Sequence, residues 1–140
     1  MDSLGMAGHL IRRLNQLSTQ IFMARTQALG FDLTPVQFAA MDAISHHPGS
    51  DQATIAQLIA YDRATIGGVI ERLVKKGLVM RSVSAQDKRA RELTLSEEGE
   101  SLMNALVPSV MGLQDDIMRG LNAEERHTFE ALARKALSIG

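Results

Sequence analysis

Arg63, Arg72, Lys75, Lys76, Arg81, Lys88, Arg89 and Arg91 are gathered into one short segment that holds only three acids, Asp62, Glu71 and Asp87. Eight cations against three anions leave this segment at +5, and with the whole 140-residue chain at −1 the remainder carries −6. A near-neutral balance therefore hides a dipolar molecule. Lys and Arg crowded in this way can neutralise phosphates, which takes a local cluster and not a basic protein overall. The ordinary alternative is a solvated charged face. Other chemistries find less support. The chain has no cysteine, which removes disulfides, Cys-based zinc sites and any thiol redox switch. It shows no Gly-rich phosphate loop, no His-Glu-x-x-His pair and no Gly-x-Ser-x-Gly elbow, so an enzyme is not expected, nor a cofactor. His46 and His47 are adjacent; on a helix their side chains diverge by about 100°, so they would not easily share one ion, and no metal site is expected.

The elements around the cations say how they would be used. A helix is expected to open at Asp62-Arg63-Ala64-Thr65 and run to Lys76, where Gly77 ends it. Two β-prone runs follow, residues 78–83 and 91–95, around the polar tip Ser84-Ala85-Gln86-Asp87-Lys88-Arg89. Ser96 then caps a new helix. Helix, hairpin, helix is the order of a winged helix-turn-helix, which sets its helix in the major groove of duplex DNA and its hairpin beside the backbone or in the minor groove. On the expected helix Ile66, Val69, Ile70 and Leu73 share one face, and Ala64, Gly67, Gly68, Glu71, Arg72 and Lys75 the other. Two glycines inside a helix each cost about 1 kcal/mol relative to alanine. Either they let the backbone approach bases or phosphates, or they make a tight helix–helix contact within the protein. Arg63 and Thr65 would reach the groove; Arg72 and Lys75 are better placed for phosphates.

Three helices precede this unit. The first, over about 5–29, carries Leu10, Leu14, Leu17 and Ile21 at helical spacing, with Ile11 and Phe22 beside them. The second starts at Thr34-Pro35, runs to His46, and should bury Val36, Phe38, Ala39, Met41 or Ile44. The third opens at Asp51 and offers Ile55, Leu58 and Ile59 to the core. Beyond Ser96, Leu102, Leu106, Val110, Leu113 and Ile117 line one side of a long helix; Gly120 and Asn122 interrupt, and a last helix carries Phe129, Leu132, Ala136 and Ile139. The fold class is mainly α with a small β-hairpin wing. It divides into an N-terminal dimerisation helix (1–33), a winged helix-turn-helix lobe (34–96) and C-terminal dimerisation helices (97–140). The end helices either pair with a second copy, setting two heads one DNA turn apart, or fold back on their own head. There is no run of eighteen apolar residues and no basic-then-apolar leader, so no membrane span or secretory signal is expected and the cytoplasm is the expected location.

The run Asp87-Lys88-Arg89-Ala90-Arg91-Glu92-Leu93-Thr94-Leu95-Ser96-Glu97-Glu98-Gly99 resembles the wing signature of the MarR family of bacterial transcription regulators. Asp62-Arg63-Ala64-Thr65-Ile66-Gly67-Gly68-Val69-Ile70-Glu71-Arg72-Leu73, followed by Lys76-Gly77-Leu78-Val79, is similar to that family's recognition helix and its exit into the wing. The resemblance implies a homodimer on a pseudo-palindromic operator, usually a repressor released by a small ligand. It also implies that Asp87 and Arg89 hold the wing by an ion pair with Lys88 at its tip. Many relatives carry arginine there; lysine keeps the charge without the planar fork and fits a narrow groove less well. The expected DNA-contacting set is Gln52, Arg63, Ala64, Thr65, Gly67, Gly68, Arg72, Lys75, Asp87, Lys88 and Arg89. The competing reading is a winged-helix module that binds protein instead of DNA; the cationic segment weighs against it.

With cysteine absent, the peroxide sensing of some members is closed to this chain, and an organic effector is expected. In the family such ligands lodge where the dimerisation helices meet the DNA-binding lobe. The matching segments supply Arg12, Arg13, Gln16, Thr19, Phe22 and Met23, then Phe38, Met41 and Asp42, then Met111. Methionine suits an irregular guest, although at helical spacing it is more often core; arginine could hold a carboxylate, although exposed solvation is the commoner role. The Asp51-Gln52-Ala53-Thr54 run with residues 62–72 also resembles the branch that governs breakdown of aromatic acids. It implies an aromatic carboxylate or its coenzyme A thioester as effector.

Overall fold

The computed structural model describes residues 2–83, 86 and 91–140. A 3-10 turn at Ser3–Gly5 leads into α1 (Ala7–Ala28), followed by α2 (Pro35–His46), α3 (Gln52–Leu58) and α4 (Ile66–Lys75). The hairpin β1 (Val79–Val83) and β2 (Arg91–Leu95) comes next, then α5 (Glu97–Ile117) and α6 (Ala123–Ala136). Mostly helix with one hairpin is the expected class.

Local chemistry accounts for the starts. Thr34 accepts from the Gln37 amide while the Gln37 side chain accepts from the Thr34 amide, a reciprocal cap with Pro35 in the first turn. Asp51, Ser96 and Asn122 cap α3, α5 and α6 through the amides of Thr54, Gly99 and Glu125. The end of α4 is set by Gly77, whose φ of 75° lets the Leu78 amide return to the Leu73 carbonyl at 3.0 Å.

A single apolar cluster joins Phe22 of α1, Met41 and Ile44 of α2, Ile55 of α3, Ile66, Ile70 and Leu73 of α4, Leu93 of β2, and Leu106 and Leu113 of α5. Two faces differ from the sequence expectation. In α2 the buried side holds Gln37, Ala40, Met41, Ala43 and Ile44, whereas Val36, Phe38 and Ala39 are half-buried. Gln37 goes inside because its amide oxygen is bonded by the cap and by Lys76. In α3, Ile55 is buried but Leu58 is exposed, and Ile59, just past the helix end, is half-buried.

The hairpin pairs antiparallel from Val79 opposite Leu95 to Val83 opposite Arg91. Ser50, in the α2–α3 connection, forms an isolated antiparallel bridge to Leu93 beside the hairpin. At the base, Ser96 donates through its hydroxyl to the Gly77 carbonyl and through its amide to that of Leu78. There α5 comes so close that a Cβ on Gly99 would overlap the Leu78 carbonyl oxygen, so glycine is required by close approach. The hairpin is thereby seated on α5 at one end and on the α2–α3 connection in the middle.

Candidate nucleic-acid interface

The helix-turn-helix consists of α3, a turn at residues 59–65, and α4. Helix α4 starts at Ile66, four residues later than the expected opening at Asp62. Asp62 takes the preceding turn for itself. Its carbonyl accepts from the Thr65 and Ile66 amides at 3.1 and 3.0 Å, its carboxylate accepts from the Ala64 amide at 3.3 Å, and the Thr65 hydroxyl donates to it. Aspartate favours such local bonds over helix interior, and Gly67 and Gly68 weaken helix initiation just beyond. Arg63, Ala64 and Thr65 are therefore presented, exposed, on a turn ahead of the helix.

Within α4 the expected division of faces holds. Ile66, Val69, Ile70 and Leu73 are buried, and Gly68, Arg72 and Lys75 are exposed, with Gly67 half-exposed. Burial of four aliphatic side chains, at about 1.5–3 kcal/mol each, outweighs the roughly 2 kcal/mol that two glycines cost the helix. The glycines do not serve packing inside the protein. A Cβ on Gly68 would meet nothing within 4 Å, and one on Gly67 would meet only the side-chain nitrogen Nε2 of Gln52 at 3.7 Å. Gln52, in the first turn of α3, is thus beside Gly67, and the two helices share one outward surface. The Asp51 carboxyl is held below the usual carboxylate range by the Thr54 amide and hydroxyl, with a smaller contribution from the Arg63 charge.

Not every cation of the segment is available. Lys76, although exposed, is held by partners, donating to the Asp32 carbonyl at 2.6 Å and to Gln37 Oε1 at 3.2 Å. Arg81 of β1 pairs with Glu71 of α4 at 2.8 Å. Their partners lie 44, 39 and 10 positions away, so no local pattern announces them. Arg63, Arg72, Lys75 and Arg91 are exposed. Asp87, Lys88 and Arg89, expected at the wing tip, lie outside the described residues.

The expected effector set is not brought into one pocket. Arg12, Arg13 and Gln16 are exposed on α1, the latter two along a shallow depression of about 490 Å³ with Leu10, Leu14 and Leu17. Phe22 is buried against Phe38, ring centroids 5.8 Å apart; Met23 is half-buried and Met41 wholly buried, whereas Met111 is 70% exposed. Phe38 and Asp42 instead line a cleft of about 520 Å³ between α2 and α3, with His46, His47, Leu58 and Ile59. The two histidines share this cleft because His47 has left the helix, with φ −133° and ψ 59°. Among the described residues no three His, Cys, Asp or Glu side chains converge as metal ligands.

Outside the head, α1 leaves Ile11 and Leu14 exposed, α6 leaves Leu132 exposed with Leu137 just past its end, and α6 buries no residue. An apolar groove of about 630 Å³ runs between α1, the end of α5 and α6. No helix is long and apolar enough to cross a membrane, among the described residues.

A helix-turn-helix with a wing and end helices defines the class of protein. A MarR family model matches residues 31–90. The chain is 36% identical over 136 residues to the HTH-type transcriptional repressor NicR of Pseudomonas putida, spanning 97% of this chain and 85% of that one. It is 35% identical to the transcriptional regulator HosA of Escherichia coli, over 94% and 95% of the two chains. Among solved structures it is similar to Bordetella bronchiseptica BpsR, described in terms of regulation of its DNA binding by 6-hydroxynicotinic acid. That match has a TM-score of 0.90 and 29% identity, over 100% and 99% of the chains. The chain belongs to the MarR family of transcriptional regulators.

Proposed function

We infer that the protein is a homodimeric repressor that binds a pseudo-palindromic duplex operator in the cytoplasm and leaves it when a small aromatic acid binds. It acts by binding and not by catalysis. The observation that carries this reading is the outer surface of α3 and α4. Gln52 lies beside Gly67, Arg63 and Thr65 are exposed just ahead of α4, and Gly68, Arg72 and Lys75 are exposed along it with no bulk over Gly68, while the reverse of α4 is core. Such a surface lets a helix backbone sink toward base edges while flanking cations meet phosphates. Two heads are supplied by pairing of the apolar surfaces of α1 and α6, which one copy leaves uncovered.

The effector reading draws on the relatives: 6-hydroxynicotinic acid, to which BpsR responds, is a heteroaromatic carboxylic acid. An aromatic carboxylate or its coenzyme A thioester is the class we assign. The α2–α3 cleft, with two imidazoles beside Phe38 and Leu58, is the described cavity next to the reading helices that could hold one.

The test is fluorescence anisotropy on a duplex from immediately upstream of the protein's own gene, against random DNA at two salt concentrations. A panel of aromatic acids and their thioesters is then added. Tight, salt-steep binding to the upstream duplex, relieved by one compound, is the expected result. Equal, shallow binding to both duplexes would count against specific recognition, and its absence would leave the protein-binding module.

A further inference from the structure

Glu71 is out of place on the surface just described. It lies four residues after Gly67 and four before Lys75, hence on the same side of α4, where a carboxylate would repel phosphates. Its side chain is turned to the hairpin, and Glu71 Oε2 accepts from Arg81 Nη2 at 2.8 Å. Arg81 is the middle residue of β1, paired across the hairpin with Leu93. The hairpin has other ties: Ser96 and Gly99 seat its base on α5, Ser50 bridges to Leu93 of β2, and Val79 and Leu93 join the apolar core that α4 also enters. The Glu71–Arg81 pair adds a polar link on the outer side of α4. A two-stranded hairpin has marginal stability of its own, so its angle to α4 depends on such contacts.

We propose that Glu71 and Arg81 are positioning residues for DNA recognition, a strut that sets the wing at a defined angle to α4 while cancelling the one acidic charge on that side of the helix. The inference rests on the DNA-binding reading above. Arg81 then counts as a partner of Glu71 and contributes no phosphate contact of its own. The pair is partly exposed, with side chains 34% and 45% accessible, so its effect on affinity is modest in size and clear in sign.

The experiment measures operator affinity of the full-length protein, Glu71→Gln, Arg81→Gln and the double variant over a range of salt, with thermal melting of each. The strut requires each single change to weaken binding by about two- to five-fold. It further requires the double variant to be no weaker than the poorer single, with melting and the salt slope unchanged. Tighter binding by Glu71→Gln would mean that the carboxylate merely repels phosphate, and would overturn the proposal. So would a salt slope shallower by about 0.9 in Arg81→Gln, which marks a lost phosphate contact. So would losses that add in the double variant, with discrimination lost at one base pair, which would make Glu71 a base reader. A wild-type protein that binds no duplex would overturn the DNA-binding reading itself, an outcome distinct from all of these.

Discussion

Asp51 and Arg63 stand ahead of the two helices of the reading head, Asp51 as the cap of α3 and Arg63 on the turn before α4, and each supports a definite expectation. Asp51 accepts from the Thr54 amide and hydroxyl at 2.9 and 2.8 Å, which holds its carboxyl below the usual range. A carboxyl whose folded pKa is depressed stabilises the fold above its unfolded pKa, and that contribution fades as pH falls through the lower folded value. Asp51→Ala should therefore cost about 1 kcal/mol near neutral pH, the usual worth of such a cap. The gap between variant and wild type should close in strongly acidic solution; chemical denaturation at a series of pH values would detect it, and a pH-independent gap would refute the cap's role. Arg63 is exposed on the turn before α4. Arg63→Ala should reduce discrimination between operator and random DNA by about 1–3 kcal/mol, the worth of a guanine contact. Equal losses on both duplexes would make it a phosphate contact. The Asp51 cap was legible in the residue types, since an Asp before a helix acts on amides only a few residues away. The engagement of Lys76 was not, because Asp32 and Gln37 come to it only through folding.

Helix α4 is where stability and function pull apart. Gly68 has open space where a methyl would go. Gly68→Ala should raise stability by up to about 1 kcal/mol through helix propensity alone, a melting temperature about 3–5 °C higher for a chain of this size. The same methyl should weaken operator binding by holding the backbone off the DNA. A variant both more stable and weaker in binding would show that the glycine is kept for the ligand; a more stable variant with undiminished affinity would remove it from the interface. The apolar spacing of α4 was readable in sequence and fixes which side is core. Its starting residue was not, because the bonds of Asp62 compete with helix at Arg63 to Thr65, and spacing does not report that competition.

In the molecule as a whole the outstanding feature is apolar surface at both chain ends. Ile11 is 65% and Leu132 59% exposed, on either side of the groove between α1 and α6. Pairing of two copies through these helices is the proposed use. The double variant Ile11→Glu, Leu132→Glu should run as a monomer in light scattering at concentrations where the wild type is a dimer. Because neither side chain belongs to the apolar core, the fold should survive. Operator affinity should fall by roughly 100-fold or more, since the second head no longer binds at high effective concentration. A wild type that is itself monomeric would end the dimer reading.

What the sequence determined by itself was the kind and order of the elements. Caps at Thr34, Asp51, Ser96 and Asn122, the stop at Gly77 and the aliphatic spacing of α4 and α5 act over a few residues, so their consequences can be read along the chain. Tertiary structure decided which of those side chains meet. It placed Phe22 against Phe38 and Met41 in the core, brought His46 and His47 to one cleft, tied Lys76 to Asp32 and Gln37 and joined Glu71 to Arg81. Contacts between residues far apart in sequence depend on how whole helices pack, and helix packing is a property of all the buried surfaces together.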